Sequence, residues 1–494
     1  MKRTLRNMGY CLSISTSLVA ADVCASDFDK SENIALVGAT VVSPHLASPI
    51  NNAVVTIDGG KISAIGPASL DIGNNYKKID VSGRWLVPGY IDSHVHFFQS
   101  GSAFTRPDSF DFSNIQPYSE DREWVTKNMA DTFERYIKSG VTSVVDMCGP
   151  RWTFNVRTIA NKSDIAPTVA SAGPCVSSFS AEALDLGDND PVFAKVSSSE
   201  QAVALVSNLM IDKPDLIKIV WSQDSGHTPE QLHDLFAPAI KYAHERGVIV
   251  AIHALELENA KLAVKAGADI LVHGVLLDEL DEEFVALAKK HDVIYMPTLA
   301  VHAASKHIAE HALEFSEHEE LLAHPDILNS FKEVSAEFDK AGMMVKLFRK
   351  YVPMVDASEV ELAKLSEQEQ NMLAQLRRFF SKEVTAAQRR NVKRMHDEGV
   401  PLALGTDAGN PAVVHGGSLL TEMKAWVDAG IPLSSILKAT TMNNALVAGR
   451  QADVGSIEVG KIADLLVLKK NPSISVDNMA SIEIVIKDGR TIKQ

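Results

Sequence analysis

The sequence predicts an α/β protein that combines a (β/α)8 TIM barrel with a small β-sandwich domain and a long helical insertion. Three observations lead to this class. Apolar segments of strand length alternate with helical stretches through the middle of the chain, as in parallel barrels. Short strand-like segments occur at both chain ends. About 100 residues rich in Glu, Lys, Leu and Ala separate the last two barrel strands, which indicates inserted helices.

The first residues have the pattern of an export signal. Lys2, Arg3 and Arg6 form a basic start, a moderately apolar stretch follows, and Ala25 ends a run suited to cleavage. We therefore expect residues 1–25 to be a signal peptide and the mature protein to be periplasmic or secreted. A disordered tail on a cytosolic protein is the alternative.

The chain contains 4 cysteines, and cleavage of the signal would leave Cys148 and Cys175. Two cysteines do not form a disulfide framework. They follow the second and third predicted barrel strands, which are neighbours, so one bridge is an alternative. Two buried thiols are the prediction that we favour.

The formal net charge of −15 argues against two classes of partner. Binding to nucleic acid and anchoring by a polybasic segment both require clustered Lys and Arg. The sequence also lacks an apolar run of about 20 residues, so it predicts no bilayer span. We expect a small-molecule substrate, without nucleic acid or membrane.

The small domain is predicted from two separate parts of the chain, residues 26–84 and residues 446–494. Both contain short apolar segments bounded by turn residues such as Pro, Asn and Asp-Gly-Gly, at 34–42, 53–57, 61–65, 455–468 and 482–486. We expect the two parts to form one sandwich, with the central domain inserted between them.

The barrel domain is predicted from residues 85–445, and its helical insertion from about 300–395. A helix is expected at 229–246, where Thr228 is suited to cap the N-terminus before Pro229. The insertion would form a lid or a dimer arm. The eight candidate strands are 86–92, 141–147, 166–172, 215–221, 248–253, 269–273, 292–298 and 402–407.

Two histidines, His94 and His96, follow the first barrel strand. Side chains at i and i+2 of a strand point to the same side, so both imidazoles can bind one metal ion. Active sites of (β/α)8 barrels lie at the C-terminal strand ends, which predicts one site for all the ligand types found there. Four later strands carry such residues: Lys218, His253, His273 and Asp407.

Each residue type has a chemical reason to lie in such a site. Neutral imidazole binds Zn and related divalent ions, and Asp407 supplies an anionic oxygen that can also hold a proton. Burial of Lys218 as an unpaired ammonium would be costly, whereas its neutral amine can react with CO2 to form a carbamate that bridges two ions. The structural alternatives are an exposed lysine head at the barrel rim and an aspartate that caps a helix.

These residues resemble the metal-dependent amidohydrolase superfamily over nearly the whole exported chain. The matching motifs are Pro-Gly-Tyr-Ile-Asp-Ser-His-Val-His at 88–96, Lys218, His253, His-Gly at 273–274, Gly-Thr-Asp at 405–407 and Gly-Lys-Ile-Ala-Asp-Leu-Leu-Val at 460–467. Segment 229–254 is most similar to the imidazolonepropionase-like branch, which includes Xaa-Pro dipeptidases and ochratoxin-type amidases.

The resemblance implies a set of roles for these residues. It places His94, His96 and Asp407 on one divalent ion, Zn by expectation, and His253 and His273 on a second. Carboxylated Lys218 would bridge them. It implies hydrolysis of an amide or peptide bond, in an Xaa-Pro dipeptide or N-acyl amino acid, by a metal-bridging hydroxide with Asp407 as general base and then acid. Family habit and the long insertion lead us to expect a homo-oligomer, and no organic cofactor is expected.

Other functions remain open at the level of sequence. Glu256 lies three residues after His253, as in mononuclear aromatic deaminases, although an acid at a helix N-terminus is also favoured by the helix dipole. A lactonase or carbamate hydrolase would use the same metal site, and a non-catalytic barrel would lack metal. Three residues near predicted strand ends are candidates for substrate binding: His415, Arg151 and His227.

Overall fold

The computed structural model describes residues 33–106, 110–179, 190–222 and 226–493, so the predicted signal peptide lies outside the described residues. The described chain begins with short strands whose buried faces are rich in Val, Ile, Leu and Ala. These strands are β1 (Ile34–Val41), β2 (Ile50–Asp58), β3 (Lys61–Pro67), β4 (Lys77–Asp80) and β5 (Trp85–Pro88).

Parallel strands follow in the middle of the chain. They are β6 (Tyr90–Val95), β7 (Val141–Asp146), β8 (Thr168–Ser171), β9 (Cys175–Ser177), β10 (Phe193–Lys195), β11 (Leu216–Val220), β12 (Ile249–His253), β13 (Ile270–Val272) and β14 (Ile294–Met296). They form a three-stranded sheet in the order β6-β7-β8 and a six-stranded sheet in the order β10-β9-β11-β12-β13-β14. Nearly all of their side chains are buried, as expected for parallel strands covered by helices.

Helices alternate with these strands. They are α1 (Tyr118–Lys127), α2 (Met129–Lys138), α3 (Phe154–Ala160), α4 (Ser199–Leu209), α5 (Pro229–His244), α6 (Leu257–Ala266) and α7 (Glu282–Lys290). The predicted cap of α5 is confirmed. The Thr228 side chain accepts a hydrogen bond from the Gln231 backbone, and the Gln231 side chain accepts one from the Thr228 backbone.

A chain of helices occupies the connection after β14. They are α8 (Leu299–Glu310), α9 (Glu317–Leu322), α10 (Pro325–Ala336), α11 (Met343–Tyr351), α12 (Glu359–Leu362), α13 (Glu367–Phe380) and α14 (Lys382–Asp397). Residues of α8, α10, α11 and α13 share an apolar core with Phe104, Phe110 and Phe112 from the segment after β6. This core attaches the helices to the segment that follows His96.

Three more helices follow, and the last strands join the sheet that contains β1 to β5. The last elements are α15 (Ser418–Asp428), α16 (Leu433–Lys438), α17 (Asn444–Val447), β15 (Leu465–Leu468), β16 (Ile482–Lys487) and β17 (Arg490–Lys493). β15 pairs with β5, so strands from both ends of the described chain form one eight-stranded sheet. Lys61 lies on β3, at the edge of the sheet opposite β17, and forms a β-bridge with Ile462, which precedes β15. The sheet therefore curls around its own apolar core.

The barrel strands depart from the prediction at three places. Two strands that were not predicted, β9 and β10, belong to the six-stranded sheet. The predicted first strand, 86–92, is divided at Gly89: β5 belongs to the eight-stranded sheet, and β6 begins the three-stranded one. The predicted eighth strand, 402–407, does not form a ladder and contributes isolated bridges. Its backbone still links the two parallel sheets, because Ala403 N donates to Tyr295 O (3.1 Å) and Asp407 N donates to His94 O (2.8 Å). A single closed ladder is therefore not present in the described chain.

The prediction of two free thiols was wrong, because Cys148 and Cys175 form a disulfide with a Cα–Cα distance of 5.5 Å. Cys148 lies just after β7 and Cys175 begins β9, and their Cα atoms are close enough for a disulfide. Separately, none of the helices in the described ranges combines the length and apolar character needed to cross a bilayer.

Candidate active site

Three predicted ligands meet at the C-terminal ends of the strands. One ligand atom from each of His94, His96 and Asp407 lies within 4.8 Å of those of the other two. The Nε2 atoms of the two histidines are 3.2 Å apart. Asp407 Oδ1 lies 2.8 Å from His96 Nε2 and 3.3 Å from His94 Nε2. We call these three residues the β6 group.

The other three predicted ligands lie beside this group. The ring centroids of His253 and His273 are 4.7 Å apart, and the ring of His273 is 5.0 Å from that of His94. Asp407 Oδ2 lies 3.6 Å from His273 Nδ1 and so faces both sets. Lys218 is 3% exposed on β11, and its Nζ has no hydrogen-bond partner among the described residues. We call Lys218, His253 and His273 the β11–β13 group.

Asp92 fixes the position of the β6 group. Its Oδ2 accepts a bond from Thr406 Oγ1 (2.6 Å), and its Oδ1 accepts bonds from the backbone N of Thr406 (3.0 Å) and of His94 (3.3 Å). The segment that carries Asp407 also passes very close to β6. A Cβ on Gly405 would lie 2.5 Å from His94 Cβ, so only glycine fits there.

The backbone is strained at two candidate ligands. His273 has φ 67° and Asp407 has φ 63°, in the left-handed region that non-glycine residues rarely adopt. Such strain costs on the order of 1–3 kcal/mol and is typical of functional sites. A Cβ on the next residue, Gly274, would meet the Tyr295 hydroxyl at 2.3 Å. Close packing therefore holds His273 in its direction.

Burial determines the charge state of the site. It lowers the pKa of His94 and His253 well below the ordinary value, and that of His273 to about 3, so these imidazoles are neutral at pH 7. Burial also lowers the pKa of Lys218 to about 7. Burial acts to raise the pKa of Asp407, but the adjacent histidines outweigh it and hold the pKa well below its usual range.

Backbone and hydroxyl oxygens orient two of the histidines. His96 Nδ1 donates to the Cys148 carbonyl (2.9 Å), and His273 Nδ1 lies 2.8 Å from Thr298 Oγ1. The carbonyl can only accept, so Nδ1 of His96 carries a hydrogen and Nε2 faces Asp407. Burial acts to lower the pKa of His96, but the hydrogen bond and charge of Asp407 outweigh it and raise the pKa, and a bound cation would take the place of the proton on Nε2. Sequence reasoning missed Asp92, Cys148 and Thr298 as supporting residues. Only Asp92 has a local signal, since it precedes His94 by two residues on the same strand face.

These residues fit divalent metal ions. Two imidazoles and an ionised carboxylate converge in the β6 group, which is the donor set of Zn and related ions. The amine of Lys218 is buried without a partner, which is unfavourable unless another group completes the site. Burial favours the neutral form of this amine, because it lowers the pKa to about 7.

The three candidate substrate residues are not part of this cluster. His415 is buried, with Nδ1 2.7 Å from the Tyr136 hydroxyl and Nε2 2.9 Å from the Gln99 carbonyl, so both ring nitrogens are engaged within the protein. The Arg151 guanidinium binds Asp212 and Asn208. His227 is half-buried directly before the cap of α5. Both ring nitrogens of His415 and all three guanidinium nitrogens of Arg151 are thus engaged within the protein.

Glu256, the residue on which the deaminase alternative depends, lies at the N-terminal end of α6. Its Oε2 accepts a bond from Asn259 Nδ2 (2.8 Å), and Asn259 Oδ1 accepts one from Trp221 Nε1 (3.2 Å). The carboxylate is therefore tied to the helix that follows β12.

The model of the amidohydrolase family matches residues 85–492, which is most of the chain. The chain belongs to the amidohydrolase family. The matched range includes both ligand groups and the helices after β14. Proteins of this family generally use divalent metal ions.

Two curated relatives are similar in sequence. A 5-methylthioadenosine/S-adenosylhomocysteine deaminase from Bacillus cereus is 24% identical over 288 residues, which cover 52% of this amidohydrolase and 61% of the deaminase. The match thus spans less than two thirds of that relative. An imidazolonepropionase from Agrobacterium fabrum is 22% identical over 436 residues, which cover 85% of this chain and 84% of that one.

Solved structures share the fold. A Xaa-Pro dipeptidase with methionine bound in its active site is 21% identical, with a TM-score of 0.65 over 94% of this chain and 100% of the other. The ochratoxinase of A. niger is 20% identical, with a TM-score of 0.66 over 94% of this chain and 96% of the other. At these identities the likeness shows the fold alone, which is a TIM barrel with a small additional domain.

Proposed function

We propose that the protein is a binuclear metal-dependent hydrolase that cleaves an amide or peptide bond in a small molecule. Xaa-Pro dipeptides and N-acyl amino acids are the proposed substrate class. The amidohydrolase fold, shared with a dipeptidase and an ochratoxinase, supports amide hydrolysis in general. The assignment to two ions rests on the β11–β13 group.

One observation carries this proposal: the amine of Lys218 is buried at the site without a hydrogen-bond partner among the described residues. Burial lowers its pKa to about 7, so a large fraction of the amine is neutral near pH 7. A neutral amine reacts with CO2 to give an anionic carbamate with two oxygens. A mononuclear site would have no use for a lysine at this place.

The two groups divide the proposed ligands. His94, His96 and Asp407 would hold one ion, His253 and His273 the other, and the carbamate of Lys218 would lie between them. Zn is the metal that we propose, because imidazole is the dominant donor. Bound divalent ions would bring the pKa of a water molecule close to neutrality and polarise the scissile carbonyl.

Asp407 is the proposed general base and acid. It is ionised, faces both ligand groups, and is held by Asn410 Nδ2, which donates to its Oδ1 (2.8 Å). Its carboxylate would take the proton of the attacking water and deliver it to the nitrogen of the leaving amine. Proton delivery is necessary because an amide anion is a poor leaving group.

Deamination of an aromatic ring is the second candidate, because a deaminase is among the relatives and Glu256 follows β12. The carboxylate of Glu256 is bonded to Asn259, which favours a structural role. A lactonase or carbamate hydrolase would use the same ligands, and only the substrate profile separates it.

Four further statements from the sequence remain proposals. We propose that the two parallel sheets form one barrel between residues 85 and 445, with the helices at about 300–395 as its insertion. We also propose a signal peptide at 1–25, export from the cytoplasm, and a homo-oligomer. The apparent mass on gel filtration and the N-terminal residue of protein isolated from the periplasm test the last three.

Metal analysis combined with a substrate library tests the main proposal. Protein supplied with Zn during expression should contain about two ions per chain and should hydrolyse members of a dipeptide and N-acyl-amino-acid library. A chelator should abolish the activity, and Asp407→Asn should lack it. One ion per chain with ammonia released from a purine, pyrimidine or triazine would instead establish the deaminase.

A further inference from the structure

A disulfide crosses the boundary between the two parallel sheets. Cys148 follows β7 of the three-stranded sheet, and Cys175 begins β9 of the six-stranded sheet. His94 and His96 of the β6 group lie at the end of the three-stranded sheet, and the β11–β13 group lies on the six-stranded sheet. The bond therefore links covalently the two sheets that carry the two ligand groups.

On one side, the disulfide holds the residue that orients His96. The carbonyl of Cys148 accepts the Nδ1 hydrogen of His96 at 2.9 Å, and this bond directs Nε2 toward Asp407. Partners that orient a metal ligand in this way affect the affinity of a site for its ion. A shift of the Cys148 backbone would thus turn the imidazole.

On the other side, the disulfide holds the strand beside Lys218. β9 pairs with β11 through Val176 opposite Ile219 and Ser177 opposite Val220. Lys218 precedes Ile219 directly. The covalent connection therefore runs from the acceptor of His96 to the neighbouring strand of Lys218.

Hydrogen bonds also cross this boundary, among them that of Arg157 with Asp215 (2.8 Å). Gly149 N donates to Gly173 O (3.0 Å), and Asp215 N donates to Ser171 O (3.0 Å). Cys148 and Cys175 are 3% and 1% exposed and pack with Phe98 and other apolar side chains. The disulfide is thus protected from solvent and lies where the ladder is interrupted.

We propose that the Cys148–Cys175 disulfide positions the β6 group against the β11–β13 group and thereby sets how tightly the first metal ion is held. This inference rests on the proposed binuclear site. The two cysteines are positioning residues that act through His96, and neither touches the substrate.

Loss of metal to a chelator tests this inference on the full chain loaded with Zn. In Cys175→Ser we expect one equivalent of Zn to leave about tenfold faster than from the wild type. An effect of this size is typical when a residue that hydrogen-bonds a metal ligand is disturbed. The second equivalent should leave at the wild-type rate. Wild type that is unfolded, reduced with tris(2-carboxyethyl)phosphine and refolded with Zn should lose metal as the variant does. In the reduction the S–S bond breaks, the phosphine becomes its oxide with oxygen from water, and the water protons go to the two thiolates.

Leu36→Ala is the matched control, because Leu36 is buried in the separate core of the eight-stranded sheet. It should lower the melting temperature without changing either rate. Equal rates in Cys175→Ser and wild type, or equal acceleration in Leu36→Ala, would overturn the inference. If Cys175→Ser does not fold, the reduced wild type decides. Oxidised wild type that binds no Zn would instead overturn the proposed function.

Discussion

The two ligand groups differ in how the protein supports them. In the β6 group, Asp92 binds the His94 backbone, the Cys148 carbonyl binds His96, and Asn410 binds Asp407. In the β11–β13 group, Thr298 supports His273, while the amine of Lys218 has no partner in the described chain. Each residue of the first group is bonded by another part of the protein, although His94 Nδ1 has no partner in the described chain. In the second group the atom without a partner is the amine of Lys218, which is costly to bury unless a bound group completes the site.

The unpartnered amine of Lys218 should lower the stability of the metal-free protein. A buried amine without a hydrogen bond destabilises the fold by roughly 1–3 kcal/mol. The proposed conversion of this amine to a carbamate between two ions would remove that cost. Mutations in the β6 group should therefore reduce function without a gain in stability, whereas loss of the Lys218 amine should reduce function and stabilise the metal-free protein.

Asp407→Asn should have the largest effect, because Asp407 faces both groups. We expect kcat to fall by at least about 10³-fold, since the variant loses both proton transfer and a charged ligand. Steady-state kinetics and metal content of the same preparation measure this. A decrease of less than tenfold in a variant with full metal content would show that another residue moves the proton.

Lys218→Met should lower metal content to at most one ion per chain and reduce activity by about 10²-fold. It should also raise the free energy of unfolding of the chelated protein by about 1–3 kcal/mol, because a buried unpaired amine is replaced by an apolar chain of similar size. Denaturant unfolding in the presence of chelator measures this gain.

Lys261→Met is the matched control for this prediction. Lys261 is also buried, at 5% exposed, but its Nζ binds Glu258 at 2.9 Å and Asp281 at 2.5 Å. Loss of a paired lysine should destabilise the protein and leave the metal content unchanged. If Lys218→Met and Lys261→Met both raised or both lowered the free energy of unfolding, the claim that Lys218 is buried at a cost would be wrong.

Asp92→Asn should weaken the first ion by about 10–100-fold, because an amide cannot accept all the hydrogen bonds from Thr406 and His94 that the carboxylate accepts. Competition with a fluorescent Zn chelator measures the affinity of each site. The second ion should keep its affinity, and equal weakening of both ions would mean that the two groups are not supported independently.

His415→Gln should change the pH dependence of stability. Burial lowers the pKa of His415 to about 4, below its ordinary value of 6.5, so the wild type loses stability as pH falls from about 6.5 to about 4. The interval corresponds to about 3 kcal/mol. Gln cannot be protonated and can still donate to the Gln99 carbonyl. Unfolding at pH 7 and pH 4 measures the difference, and parallel pH profiles would contradict a neutral buried His415.

Glu256→Gln should have the smallest effect, because its carboxylate is bonded to Asn259 outside the ligand groups. We expect amide hydrolysis to change by less than about threefold. A loss of about 10²-fold, which is the range for a residue that transfers protons, would favour the deaminase candidate.

The sequence predicted the parts of the fold and site that local patterns encode. His94 and His96 alternate on one strand, and Asp407 ends a predicted strand, so the strand-end rule brought the β6 group together. The cap of α5 was predicted from Thr228 and Pro229. These features depend on neighbours in sequence.

Features that depend on tertiary contacts could not be predicted in this way. The acceptor of His96 is a backbone carbonyl that is 52 residues away, and backbone atoms leave no signal in side-chain identity. The disulfide was predicted wrongly because strand order alone does not give the Cα–Cα distance. The engagement of His415 and Arg151 within the protein depends on Tyr136 and Asp212, which are also distant in sequence.

The most direct test of the central claim compares the metal content of the wild type and Lys218→Met, both expressed with Zn. Inductively coupled plasma mass spectrometry gives the number of ions per chain. The account predicts about two ions per wild-type chain and at most one in Lys218→Met. Equal metal content in the two proteins would contradict the role of Lys218 as the residue that completes the second group.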